Sequence, residues 1–299
     1  MQRTDRTVIL EDQTLTDGLK DGRLTMSDDM MQATAQHILD SGIQRMQIAI
    51  LGDDKQYPHA NHFTKFLSAL RIPSGVKMTA HVLSKAGIEE AQKAGIDHIT
   101  IGMSISEAEH MAISGQTLEE AQSAFMAMLK IAKSKQMKVR GDVRSVFGCR
   151  REGPIDPRRV MSLVRECLDA GVDEIGLVDT SGMADPFSMN DLMASVAIEA
   201  FDVPRALHLH NTENKGLANA YAAVKTEVRL FDTTLGGLGT CSFFKGLPAN
   251  IATEDMAHML HQMGFETGID NKKMAGAAQW FEQEMATELP GALHKILNK

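Results

Sequence analysis

The sequence predicts a (β/α)8 TIM barrel over residues 1–270 with a C-terminal helical extension over residues 271–299, on three observations. A helix-period segment ends at Gly and is followed two or three residues later by a β-branched run at Gly42, Gly95 and Gly171. Gly takes the left-handed C-cap without steric cost, so each repeat is the αβ half of a βαβ unit. Eight strand-like runs alternate with eight helix-period segments. About 265 residues for eight units is the usual size of such a barrel, and no G-x-G-x-x-G fingerprint follows the first run to favour a doubly wound sheet.

In chain order, the apolar run at 8–14 is the first strand and 27–41 the first helix, ending at Ser41-Gly42. Strand 45–51 and helix 60–70 follow, then strand 77–83 with helix 86–94, which closes on Gly95 before strand 98–103. Helix 117–135 opens on Thr117-Leu118-Glu119-Glu120, a capping box whose hydroxyl and carboxylate satisfy each other's backbone N–H groups. After strand 138–145, helix 157–170 begins with Pro157, which the first turn tolerates because its N–H has no intrahelical acceptor. Strand 174–180, helix 188–200, strand 206–211, helix 215–225, strand 230–235 and helix 252–263 complete the eight units, and 271–299 reads as one or two further helices.

Composition narrows the function. Lys+Arg is 31 against 39 Asp+Glu, a net charge of −8, which argues against a polyanionic partner such as nucleic acid. No run reaches the 18 or more apolar residues of a membrane span, and Met1–Arg6 has no apolar signal-like region. Three cysteines in a chain this long form no disulfide framework, so the expectation is a soluble cytoplasmic protein that does not engage membranes. Its 20 Met against 5% aromatics indicate a core filled by flexible aliphatic side chains.

Active sites of such barrels lie at the C-terminal ends of the strands. The seventh strand ends Ala206-Leu207-His208-Leu209-His210-Asn211, and period-2 geometry puts both imidazoles on one face, where they can share a metal ion. The first strand ends Glu11-Asp12-Gln13-Thr14-Leu15-Thr16-Asp17-Gly18, so Asp12 or Asp17 can complete a His-His-carboxylate site suited to Mg²⁺, Mn²⁺, Co²⁺ or Zn²⁺. Beyond the eighth strand, Leu235-Gly236-Gly237-Leu238-Gly239-Thr240-Cys241 is a Gly-rich loop that can approach a ligand closely, with Cys241 at its tip. Cys167 sits on a helical pattern as a core residue, whereas the arginines after Cys149 are expected to lower its pKa.

These motifs resemble the 3-hydroxy-3-methylglutaryl-CoA lyase family, one of the metal-dependent (β/α)8 aldol and Claisen enzymes that include isopropylmalate and homocitrate synthases. The resemblance spans almost the whole chain. It rests on His208-Leu209-His210-Asn211-Thr212, Gly216-Leu217-Ala218-Asn219, Gly237–Cys241 continuing to Gly246–Asp255, Val139-Arg140-Gly141, Phe147-Gly148-Cys149 with Glu152-Gly153, and Val178–Gly182. It implies a divalent metal, Mg²⁺ or Mn²⁺ foremost, held by Asp17, His208, His210 and Asn250. It also implies a mobile-loop cysteine at Cys241, an acyl-CoA or hydroxy-acid substrate, and a homodimer. Gln13, Thr16, Gln47, Arg140 and Thr180 are the substrate-binding candidates.

Departures from the family pattern bear on substrate and rate. Thr16 stands where the family has an enolate-stabilising Arg, Gln47 where it has a catalytic Glu, Ala112-Ile113 where it has Lys-Asn, and Thr240 and Ser242 flank Cys241 in place of Gly and Pro. Removing a preorganised positive charge costs on the order of 10²–10³ in rate, so either another cation serves, with Lys20, Arg140 and Arg144 the candidates, or the substrate needs less help. The expected reaction is retro-Claisen or retro-aldol cleavage of a 3-hydroxy-3-methylglutaryl-CoA-like thioester, with Asp17 and His208 at the metal, His208 the base nearest the alcohol and Cys241 the acid that protonates the enolate. The alternatives are an aldolase or Claisen-type synthase acting on another hydroxy or oxo acid and, third, a non-catalytic metal-binding paralogue.

Overall fold

The computed structural model describes residues 6–20, 24–53, 63–240 and 250–297. Eight parallel strands pair in sequence order and close into a barrel: β1 (Ile9–Asp12), β2 (Arg45–Leu51), β3 (Lys77–Val82), β4 (His98–Ser104), β5 (Lys138–Arg144), β6 (Glu174–Asp179), β7 (Arg205–Leu209) and β8 (Leu230–Thr233). Closure is made by β1 on β8, with Asp12 opposite Thr233. Around the barrel run α1 (Asp28–Asp40), α2 (Phe63–Ala69), α3 (Lys85–Lys93), α4 (Glu107–Ile113), α5 (Leu118–Ser134), α6 (Pro157–Asp169), α7 (Pro186–Glu199), α8 (Gly216–Lys225), α9 (Thr253–Gln262) and α10 (Asn271–Met285). No helix among the described residues is long and apolar enough to cross a membrane.

The capping chemistry read from the sequence sets the helix starts. Thr117 and Glu120 form the reciprocal box of α5, and Asp156 accepts from the N–H of Arg158 ahead of Pro157 in α6. The main core lies between strands and helices. The outward residues of β5, Val139 and Val143, are buried with Leu163, Val164 and Cys167 of α6. Cys167 is a core thiol, pushed up to about 12 by burial and, after that, by Glu166 and Asp142.

Inside the barrel the layers are charged. Arg45 bridges Glu11 (2.8 Å) and Glu174 (2.6 Å), and Arg140 contacts Glu11, Asp142 and Asp232. A Cβ at residue 176 would lie 1.8 Å from Asp142 Oδ1, so Gly176 on β6 is required by this packing. Ions this deep are tolerated only when fully paired, because each loses its hydration.

Two features depart from the sequence expectation. β1 ends at Asp12 rather than 14, because the Gln13 carbonyl accepts from the N–H groups of Thr16 and Gly18 and turns the chain into a 3-10 turn over Asp17–Leu19. α4 was not anticipated: Ser106 caps it by accepting from Glu109 N, and Glu109 reaches Ser104 (2.5 Å) and Ser145 (2.6 Å) at the ends of β4 and β5. At the C-terminus, α10 buries Met274, Ala275, Ala277, Ala278 and Phe281, and Trp280 lies against His37 of α1 with ring centroids 4.2 Å apart. A final 3-10 turn, Leu293–Lys295, packs on α9 and α10.

Candidate metal and active site

Three side chains meet at the C-terminal mouth of the barrel. One ligand-type atom from each of Asp17, His208 and His210 lies within 4.8 Å of the others. β7 and the residue after it deliver the two imidazoles, edge to face with centroids 5.3 Å apart, and the 3-10 turn after β1 delivers Asp17. The chain at 250 returns across the mouth: Asn250 bridges His210 backbone to backbone, and its side-chain nitrogen donates to Asp17 Oδ2 (3.0 Å) and to the Leu238 carbonyl (2.9 Å). With both N–H groups engaged, the amide oxygen is the atom left to act as a ligand. A Cβ at Gly239, whose φ is +116°, would fall 2.5 Å from Asn250 Nδ2, so this close approach depends on glycine.

The electrostatics suit a cation. Burial opposes ionisation of Asp17, but His208, Lys20 and His210 together with the Asn250 hydrogen bond hold its carboxyl well below the usual range. Burial, and then the neighbouring His208, push His210 down to about 3, leaving it a neutral imidazole. Its Nδ1 is buried and has no hydrogen-bond partner among the described residues. For His208 burial works against the charge, yet the hydrogen bond to Asp232 and the Asp17 carboxylate raise its pKa. Two imidazoles, a carboxylate and an amide oxygen fit a divalent metal of borderline hardness.

Asp232, on β8, was not anticipated. It sits 3.3 Å from His208 Nδ1 while Arg140 grips both its oxygens at 2.7 Å. Donation from His208 Nδ1 to Asp232 leaves Nε2, 3.8 Å from Asp17 Oδ2, as the nitrogen facing the cluster. The signal lay in the strand itself: an acid at the centre of Leu230-Phe231-Asp232-Thr233 has no place in a barrel without a partner. His81 of β3 went unread for a similar reason. Alternation puts it on the face of inward Thr79, and burial, then Arg144 and Lys20, push it down to about 3.

The other sequence candidates are distributed as follows. Asp12, the rival of Asp17, is raised to about 6 by burial against hydrogen bonds from Thr14 and Thr253 and stands outside the cluster. Gln13, Thr16 and Gln47 are buried near the mouth, and Thr16 Oγ1 donates to the Gln13 carbonyl (3.2 Å). Thr180 follows β6 and its hydroxyl accepts from Ser145 N (3.0 Å). Arg140 is 1% exposed, and all three guanidinium nitrogens are engaged by carboxylates below the mouth rather than offered to a ligand. Cys149 is fully buried, unlike the arginine-activated thiol expected from its sequence neighbours, and Arg150 pairs instead with Glu213. Cys241 lies outside the described residues.

Comparison with known proteins agrees with this geometry. The chain is 30% identical over 270 residues to the (R)-citramalyl-CoA lyase of Chloroflexus aurantiacus, covering 87% of this chain and 85% of that one. It is 29% identical over 271 residues to the hydroxymethylglutaryl-CoA lyase of Pseudomonas mevalonii, covering 91% and 90%. The solved structure of an HMG-CoA lyase from Acinetobacter baumannii, in complex with coenzyme A and 3-methylmalate, superposes with a TM-score of 0.90 at 25% identity, covering 99% and 97%. The HMGL-like family model matches residues 7–280, and this chain, an eight-stranded barrel of the carbon–carbon lyase type, belongs to that family.

Proposed function

We propose that this protein is a divalent-metal-dependent lyase that cleaves a 3-hydroxy-3-methylglutaryl-CoA-like thioester into a carbonyl product and an acyl-CoA. The observation that carries this reading is the Asp17–His208–His210 cluster with Asn250 beside it, at the mouth of an HMGL-like barrel. Mg²⁺ or Mn²⁺, held by those four residues, supplies a Lewis acid that lowers the cost of removing the alcohol proton. The hydroxyl proton leaves to a base, the C–O bond becomes C=O, and the bond between the thioester α-carbon and the alcohol carbon breaks. The electron pair passes to the thioester as an enolate, which then takes a proton at carbon. His208, expected as the base, has Nδ1 on Asp232 and Nε2 facing the metal cluster, so the proton leaves to another group beside the alcohol, and Cys241 is the acid that returns a proton to the enolate. Gln13, Thr16, Gln47 and Thr180 line the substrate's side of this reading.

Thr16 and Gln47 favour a second reading, in which the same barrel acts as an aldolase or Claisen-type synthase on a different hydroxy or oxo acid. A cytoplasmic site of action belongs to the proposal and is supported by the free, buried thiols of Cys149 and Cys167. A homodimer does too, supported by exposed Phe187, Ile198 and Phe201 on and just after α7.

The purified protein, loaded with Mg²⁺ or Mn²⁺, is expected to release acetyl-CoA from 3-hydroxy-3-methylglutaryl-CoA and to lose that activity on chelation or as Asp17→Asn. Turnover confined to a panel of 2-oxo acids with an acyl-CoA in the synthetic direction selects the second reading. No turnover in either direction overturns both.

A further inference from the structure

We propose that Arg144 is the residue that holds the anionic oxygen of the substrate, in place of the positive charge that Thr16 does not supply. The proposal rests on the lyase reading, in which cleavage leaves negative charge on the thioester oxygen and the substrate brings a carboxylate of its own.

Among the described residues, Arg140, Lys20 and Arg144 are the cations to weigh. Arg140 is consumed by Glu11, Asp142 and Asp232 and is 1% exposed. Lys20 stands 3.9 Å from Asp17 Oδ1 with 43% of its side chain exposed, so water screens it and its nearest partner is a ligand of the cluster. Arg144 differs from both. It is the last residue of β5 and follows Arg140 and Asp142 at two-residue intervals, so strand alternation aims it into the barrel at its open end. It is partly buried, yet no carboxylate lies within salt-bridge distance of it among the described residues. Its Nη2 makes one long hydrogen bond, 3.4 Å to the Gly102 carbonyl, and its Nε is buried with no partner. Burying a guanidinium without a counter-ion is costly, and a fold keeps one where an anion arrives to complete it.

The surroundings fit such an arrival. Arg144 pairs in register with Val178, and Val178 with His208, so two strand spacings, about 10 Å, separate Arg144 from the metal-facing histidine at backbone level. A substrate held beside His208 would reach the Arg144 side chain by extending past Val178 of β6. Gly102, on β4 at the side of Arg144 away from β7, contributes no side chain beside the guanidinium; a Cβ there would stand 3.7 Å from Arg144 Nε. His81, held neutral, adds no competing charge.

The anionic oxygen has two sources, the substrate carboxylate and the enolate, and kinetics separates them. With the Mn²⁺-loaded full chain, Arg144→Gln is expected to raise KM about tenfold if the carboxylate is held, or to lower kcat by on the order of 10²-fold at unchanged KM if the enolate is held. Arg144→Lys should recover part of either loss, and adding Thr16→Arg to Arg144→Gln should recover more. Independently of turnover, calorimetry should show the parent binding 3-hydroxy-3-methylglutarate at least tenfold tighter than its monomethyl ester if the carboxylate is the source, a preference that Arg144→Gln erases. An Arg144→Gln variant with the parent's melting temperature, and with kcat, KM and this preference all within twofold of the parent, overturns the proposal. A parent that cleaves no thioester defeats the lyase reading instead, and Arg144 then stands or falls on the calorimetric preference alone.

Discussion

At the residue scale, the arrangement behind His208 is as informative as the cluster in front of it. Asp232 has to be ionised to accept from His208 Nδ1, and burial opposes that; Arg140, followed by the His208 hydrogen bond, outweighs it and holds Asp232 at about 2. Asp232→Asn removes the charge and turns an amide toward Arg140. Partners of this kind behind a metal-ligating histidine are typically worth 10–100-fold in affinity, so titration calorimetry should show Mn²⁺ binding weakened by about that factor. Breaking one partner of a buried ion pair costs about 3–5 kcal/mol, so the variant should also melt several degrees lower. Unchanged Mn²⁺ affinity would remove Asp232 from the site. His208 and His210 were legible in the sequence because a two-residue period on a strand needs no tertiary information. Arg140 was not legible as a structural ion. Alternation says that it points inward, but its depth below the mouth and its pairing with Asp232, 92 residues away, follow only from barrel closure.

At the element scale, helices and strands were legible wherever a cap or a Gly punctuated a regular period, and α4 escaped because seven residues are too short to show one. Its one local signal was Ser106-x-x-Glu109, of which only the hydroxyl half of a capping box is made, because the Glu109 carboxylate accepts from Ser104 and Ser145 instead. The C-terminal segment shows what an extension can do beyond adding length. Glu254 of α9 accepts from Gly236 N in the Gly-rich segment (3.1 Å) and pairs with His294 Nδ1 (2.9 Å), while Asp255 accepts from Ala292 and Leu293 N. The last 3-10 turn thus braces the segment that leads to Cys241. Burial disfavours the charged form of His294, but Glu254 and then Glu282 outweigh it and raise its pKa. The folded pKa lies above the unfolded ~6.5, so this stabilisation is fully present below that pH and is lost as pH rises through the folded value. His294→Gln should therefore melt below the parent at pH 6, with a gap that narrows toward pH 9. A gap that widens with pH would reverse the assignment.

At the scale of the whole molecule, the barrel buries paired charges inside, and among the described residues its most exposed large apolar side chains stand on and just after one helix. Phe187 and Phe201 are 84% exposed and Ile198 79%, on and just after α7. A phenyl ring this size covers ~150–250 Å², so the three side chains expose roughly 400 Å² of apolar surface in total, divided between the two ends of the helix. The proposed homodimer would cover them with a second copy of this chain. Phe187 begins the helix and Ile198 and Phe201 end it, about 16 Å apart, with small Ala194 between them. In the proposed homodimer a two-fold axis near Ala194 would set Phe187 of each copy against Ile198 and Phe201 of the other, an isologous contact in which each end of the helix is the other's complement. Two such faces bury roughly 800 Å² of apolar side chain before any rim is counted, which is consistent with the 1,200–2,000 Å² total of a stable specific interface. Light scattering should therefore give twice the 32.7 kDa chain mass at micromolar concentration. The double variant Phe187→Asp with Phe201→Asp should elute as a monomer with its far-UV spectrum unchanged, since neither ring contributes to the core. A parent that is monomeric at tens of micromolar, or a double variant that remains dimeric, would exclude α7 as the interface.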